Sequence, residues 1–207
     1  MKKLLILLFS LFFLSSPSVF ADDISDFEIE GISIGDSLLD YMTEEEILRE
    51  IEENKDMYLF LKDPYKYAEV YLYGDFTVYD TLSFFVQNNS ASKYITNKNE
   101  KYEILSIYGV IDYIEDFDSC LQKRDEIVEV LPNMFPNAQK TEDIFAHSSD
   151  PSGDSIVDAV YFVFDSGAKI EISCDNFEET YRIRNRWSEG LNVAIKYEEI
   201  SSWMRGH

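Results

Sequence analysis

Residues 157–174 read VDAVYFVFDSGAKIEISC, and the fold turns on this stretch. Val157 to Phe164 is dense in β-branched and aromatic residues. Asp165-Ser166-Gly167 carries turn chemistry, and Lys169 to Cys174 alternates, with Ile170, Ile172 and Cys174 on one face. Two such runs joined by a short glycine-containing turn predict an antiparallel hairpin. Cys174 has a single counterpart, Cys120. That residue belongs to an apolar stripe of Phe117, Cys120, Leu121, Arg124, Ile127, Val128 and Leu131, whose spacings of three and four predict a helix. Asp116 or Asp118 caps it, and Pro132 and Pro136 oppose continuation beyond Leu131. Both cysteines therefore sit on core faces, which predicts a disulfide, Cys120–Cys174, clipping the helix to the sheet. Two buried thiols are the alternative.

The pattern extends in both directions. Gln139 to His147 reads as a strand, residues 150–154 as a polar loop, Leu191 to Tyr197 as the last strand, and Glu198 to Met204 as a closing helical turn with Trp203. In the first half, Asp36 or Ser37 caps a short turn through Tyr41. Thr43 and Glu46 form a capping box, Ile47, Leu48 and Ile51 supply an apolar helix face, and Asn54 ends it. Period two then takes over. Ala68, Val70 and Leu72 share a face, as do Leu82, Phe84 and Val86, and then Leu105, Ile107, Gly109 and Ile111. Asn88-Asn89-Ser90 and Asn97-Lys98-Asn99 mark turns. The class is α+β: a mostly antiparallel sheet with helices on one face. One domain over 29–207 is expected; 29–114 and 115–207 each read as a helix followed by strands, which allows an internal duplication, but no residue-level repeat relates them.

The first residues point to export. Lys2 and Lys3 precede an apolar run from Leu4 to Leu14, broken by Ser15, Ser16 and Pro17. Val19-Phe20-Ala21 then places small residues at the −3 and −1 positions of a signal-peptidase site. Residues 1–21 are expected to be removed, 22–28 to form a flexible leader, and the mature chain to be periplasmic or secreted. Removal would leave about 16 basic residues against 40 acidic ones, a charge near −24. That charge repels phosphate backbones and anionic headgroups, so nucleic acid and membrane insertion are not expected. The 14 Tyr and 15 Phe exclude an acidic disordered chain, which lacks aromatics.

Gly31-Ile32-Ser33-Ile34-Gly35-Asp36-Ser37-Leu38, followed by short paired helices, resembles the opening of periplasmic domains of the BamE/BLIP-like type. The resemblance covers about 25 residues and implies an antiparallel sheet and a protein-binding role. The lipidated cysteine of the assembly lipoproteins is missing here. The whole chain is also similar to small exported proteins of marine alphaproteobacteria, a similarity that implies no activity.

Catalytic and cofactor motifs find little support. His147 and His207 are the two histidines, with no paired metal-ligand spacing, no glycine-rich phosphate loop and no nucleophile elbow. No cofactor and no metal are expected. Asp150, Ser152 and Asp154 match the start of a calcium loop, but Ser155 replaces its sixth-position glycine and Tyr161 its twelfth-position glutamate. Two stretches are candidate binding surfaces. Tyr65, Tyr67, Tyr71 and Tyr73 share a strand face with Glu69, suiting a protein interface or sugar stacking; the alternative is that a helix or the other half covers them. Arg182, Arg184 and Arg186 alternate beside Tyr181 and Trp187. If extended they present three guanidiniums to an anion; otherwise they neutralise Asp175, Glu178 and Glu179. The sequence thus predicts a soluble, non-catalytic binding protein whose partner is another protein, or a small anionic or sugar ligand. A small hydrolase using a carboxylate pair on cell-wall or sugar substrates is the alternative.

Overall fold

In the computed structural model, which describes residues 24–56, 66–88, 97 and 100–205, seven strands form one antiparallel sheet. They are β1 (Tyr67–Leu72), β2 (Thr81–Gln87), β3 (Ile104–Asp112), β4 (Gln139–Ala146), β5 (Ile156–Val163), β6 (Lys169–Asn176) and β7 (Gly190–Lys196). Their spatial order is β1-β2-β3-β7-β6-β5-β4. A helix followed by a three-strand meander thus occurs twice, and β7 joins the two meanders through β3 and β6. The predicted hairpin is the β5–β6 pair, with Val160 opposite Ile172 and Phe162 opposite Ile170. Gly167 takes φ +83° in its turn, a left-handed conformation that glycine adopts without strain.

Helices α1 (Glu44–Asn54) and α2 (Phe117–Met134) bury one face of the sheet. Thr43 accepts from the Glu46 amide while Glu46 accepts from the Thr43 amide, the predicted capping box. Asp116 caps α2. Beneath the helices lie the inward residues Val70, Phe84, Ile107, Ile170, Ile172, Val193 and Ile195, all buried. Cys120 and Cys174 form the disulfide, with Cα atoms 6.0 Å apart. Among the described residues no helix is long and apolar enough to cross a membrane.

Several expectations need correction. Pro132 does not stop α2, which continues to Met134. A proline in the last turn forfeits one backbone bond, and the Phe135 amide still donates to Leu131 O at 2.8 Å, with both side chains buried. The leader is structured from Ile24: Ile24–Asp26 is a 3₁₀ turn, Ile24 is buried and Phe27 meets the Phe135 ring edge-on at 6.2 Å. Apolar residues three apart share a side of such a turn. Leu105 does not share a face with Ile107. A register shift at Phe85/Val86 places Ile104 in the helix-covered core and Leu105 with Phe85 and Tyr67 on the other side. Helices are not confined to one face: α4 (Glu198–Arg205) follows β7 over to the opposite face, where Ile200 buries completely against Tyr67, Phe85 and Leu105.

Candidate functional site

The face of the sheet opposite α1 and α2 carries covering from α4 at one end. Side chains alternate along each strand, so the pairing register defines rows that cross the sheet. One row reads Tyr71, Ser83, Tyr108, Ala194, Glu171, Tyr161 and Thr141 from β1 to β4. Aromatic residues thus stand between small ones, and Ser83, Ser106, Ala159, Ser173 and Ala194 form a buried floor from which the tyrosines rise. Tyr71, Tyr108 and Tyr161 remain half-buried rather than covered.

The β3–β7–β6–β5 part of the face is an alternating ladder of charge and aromatic ring. Lys196 lies over the Tyr108 ring, 4.5 Å from its centre, and pairs with Glu171 at 3.0 Å. Lys169 reaches Glu171 at 3.4 Å and lies over the Tyr161 ring at 5.1 Å. Burial alone would raise Glu171, but the two ammonium groups outweigh it and hold the carboxyl below its ordinary value. Burial also pushes the Tyr161 phenol up to about 12, assisted by Glu171. On the same face burial lifts Asp175 to about 6, opposed by the Asn192 amide, which donates to it at 2.9 Å. On β1, burial pushes Glu69 up to about 7, opposed only by a 3.4 Å hydrogen bond from the Tyr71 hydroxyl.

The predicted tyrosine stripe divides along its length. Tyr67 is buried under α4, its ring 4.8 Å from Trp203 and its hydroxyl donating to Glu199. Tyr71 stays on the open part, and Tyr73, just past the strand, is 73% exposed with its ring stacked on Tyr71 at 6.4 Å. Tyr65 lies outside the described residues. The strand pattern places Glu69 among these tyrosines but carries no signal of its burial. Tyr108, Tyr161, Glu171 and Lys196 come from three further strands and the end of β7, and only the register brings them together.

The arginine stretch is helical, not extended. Glu178 caps α3 (Glu179–Asn185), accepting from the Thr180 amide at 3.0 Å and the Tyr181 amide at 2.7 Å. Residues two apart on a helix diverge, so Arg182 and Arg184 do not point together, and Arg186 ends the helix in a left-handed conformation. Arg182 pairs with Glu115 at 3.1 Å and Glu189 at 3.6 Å; of the acids expected to be neutralised, Glu178 is engaged as the cap and Asp175 by Asn192. Tyr181 and Trp187 do meet, 5.2 Å apart, in a cluster completed by Phe177 and His147. His147 is thus wedged against aromatic rings, and burial holds its pKa below the ordinary value.

A 620 Å³ cavity at this end is lined by Tyr113, Asp175, Arg182 and Glu189. It is stitched internally: Glu189 accepts from the Phe177 amide at 3.0 Å and the Glu115 amide at 2.9 Å while pairing with Arg182. The calcium-like loop is closed on itself in the same way. Asp150 accepts from the amides and hydroxyls of Ser152 and Ser155, and among the described residues no group of three or more potential ligands could hold a metal ion. Comparison with known protein families, curated proteins and solved structures gives no match for this chain.

Proposed function

We propose that this is an exported, soluble, non-catalytic binding protein that docks another protein on the open face of its sheet. The observation that carries the reading is the row of tyrosines set between small residues, with charged groups desolvated on the same floor. Tyrosine offers a large rigid contact surface with a polar tip, and such residues dominate interface energetics. Export rests on the signal-like residues 1–21 and is supported by the disulfide, which persists in oxidising compartments.

On the open face strand geometry weighs against the hydrolase reading, and beside Asp175 at the cavity end the Glu189 carboxylate is already held by two backbone amides and Arg182. Glu69 and Glu171 sit four strands apart, about 19 Å, and Glu171 and Asp175 are four residues apart on one strand, about 13 Å. A glycosidase needs its carboxyls within roughly 5–10 Å.

The test is a screen of wild type and Tyr108→Ala against a displayed-peptide library and immobilised glycans. Peptide binders selected by the wild type should lose at least tenfold affinity on Tyr108→Ala, with an unchanged circular dichroism spectrum. Cleavage of a glycan, or binders indifferent to Tyr108, would remove the proposal. For export, N-terminal sequencing of the extracytoplasmic fraction should begin at Asp22; Met1 on membrane-bound protein would contradict it.

A further inference from the structure

Among the described residues, Glu69 is a charged group on the open face that the protein itself leaves partly unanswered. Glu69 is 5% exposed. Its Oε1 accepts the long bond from Tyr71, and its Oε2 has no hydrogen-bond partner. Across its row stand Phe85, Ser106 and then Lys196. Lys196 lies three strands away, about 14 Å, and is already paired with Glu171. An ionised carboxylate taken out of water without a partner is costly, and groups of this kind are retained where something else completes them.

What could complete Glu69 follows from the walls around it. Glu69 lines a 330 Å³ cavity together with Tyr71, Ser83, Phe85, Tyr108 and Met204. Ser83 lies between Tyr71 and Tyr108 in the cross-strand row, so the two phenol rings rise from strands about 10 Å apart with only a hydroxymethyl group between them. Aromatic faces attract organic cations, and a carboxylate at the base adds the opposite full charge. The same pairing already occurs next door, where Lys196 lies over Tyr108. A calcium ion would require six or more oxygen ligands, an anion would be repelled, and an apolar side chain would leave Oε2 as it is. The net charge of −22 draws a partner through its basic surface.

We infer that this cavity receives the ammonium or guanidinium group of a lysine or arginine projecting from the docked protein. The inference rests on the proposal that the open face is the docking surface, and it specifies the chemistry of the partner at that surface.

The test uses the full chain labelled with nitrogen-15 and three probes: N-acetyl-arginine amide, N-acetyl-lysine amide and the neutral N-acetyl-citrulline amide. The two cations should shift amide resonances around residues 69–71, 83–85 and 106–110, and the citrulline probe should bind at least tenfold more weakly. Glu69→Gln, its fold checked by its own spectrum, should lose at least tenfold in cation affinity. Equal binding of citrulline, undiminished binding by Glu69→Gln, or no response to either cation overturns the inference. The docking reading stands apart from these results. If the cations fail while Tyr108→Ala still loses its selected peptides, only the basic-side-chain inference falls. If the cations bind while the peptides ignore Tyr108, the docking reading falls, and the cavity belongs to free organic amines rather than to a partner.

Discussion

Replacing Glu69 with glutamine keeps the shape of the side chain and removes its charge, so it isolates what holding that charge costs the fold. Burial pushes the Glu69 carboxyl from an ordinary value of 4.5 up to about 7. Between those values the folded protein keeps a proton that the unfolded chain releases, so stability falls as pH rises from about 4.5 through about 7. The interval corresponds to about 3 kcal/mol, fully lost by pH 8. Glu69→Gln has no such loss. At pH 8 the variant should be more stable than wild type by up to about 3 kcal/mol, or roughly 6–12 °C in Tm for a chain of this size. At pH 3, where Glu69 is protonated in both the folded and the unfolded state, the two should unfold together. On the same cavity burial raises the Tyr108 phenol above its ordinary value of 10, and Asp175, which contributes with the same sign as Glu69, is present in both proteins. Thermal and urea unfolding at pH 3 and pH 8 provide the measurement. A difference that is the same at both pH values, or a variant less stable than wild type at pH 8, would refute the reasoning.

Reducing the Cys120–Cys174 bond, which spans a separation of 54 residues, should lower stability by about 4 kcal/mol. Urea unfolding with and without reductant measures this, and a midpoint insensitive to reductant, or two thiols titrating in the untreated protein, would contradict it. Gly190→Ala would place a Cβ 2.1 Å from Ile111 O on β3. It should cost about 3 kcal/mol or more by forcing the central strands apart, read as a lowered Tm. Thr43→Ala removes the capping box of α1 and should cost about 1 kcal/mol, with Thr43→Ser restoring most of it.

Features determined within a short window were legible in the sequence. The β5–β6 hairpin follows from two strand-forming runs around Asp165-Ser166-Gly167, and the caps at Thr43 and Asp116 follow from side chains that reach amides three residues on. The disulfide could be read because both cysteines fall on the inner side of a periodic element. Alternation failed at Arg182 to Arg186, where the Glu178 cap starts a helix that period-two spacing conceals. It failed again at Leu105, where an added residue in the ladder reverses which side faces the core. The candidate site was half visible. Tyr67, Glu69 and Tyr71 announce a shared strand face. Which residues lie beside them depends on strand order and register, and a pattern internal to each strand carries neither. Tyr108 and Lys196, 88 positions apart, adjoin because β7 lies against β3.

The position of β7 bears on how the molecule comes into being. Without Gly190–Lys196 the pairing of the sheet divides into two three-strand ribbons, each with an unsatisfied hydrogen-bonding edge at β3 or β6. Sheets whose closure depends on pairings this distant along the chain fold slowly, and bare edges of this kind are templates for pairing with other chains. If, as proposed, the polypeptide is threaded across a membrane starting from its N-terminus, the keystone strand emerges after all six of the strands it joins. Assembly of the native sheet is therefore deferred to the far side, while a chain interrupted before residue 190 would be left with two adhesive borders and no means of joining them.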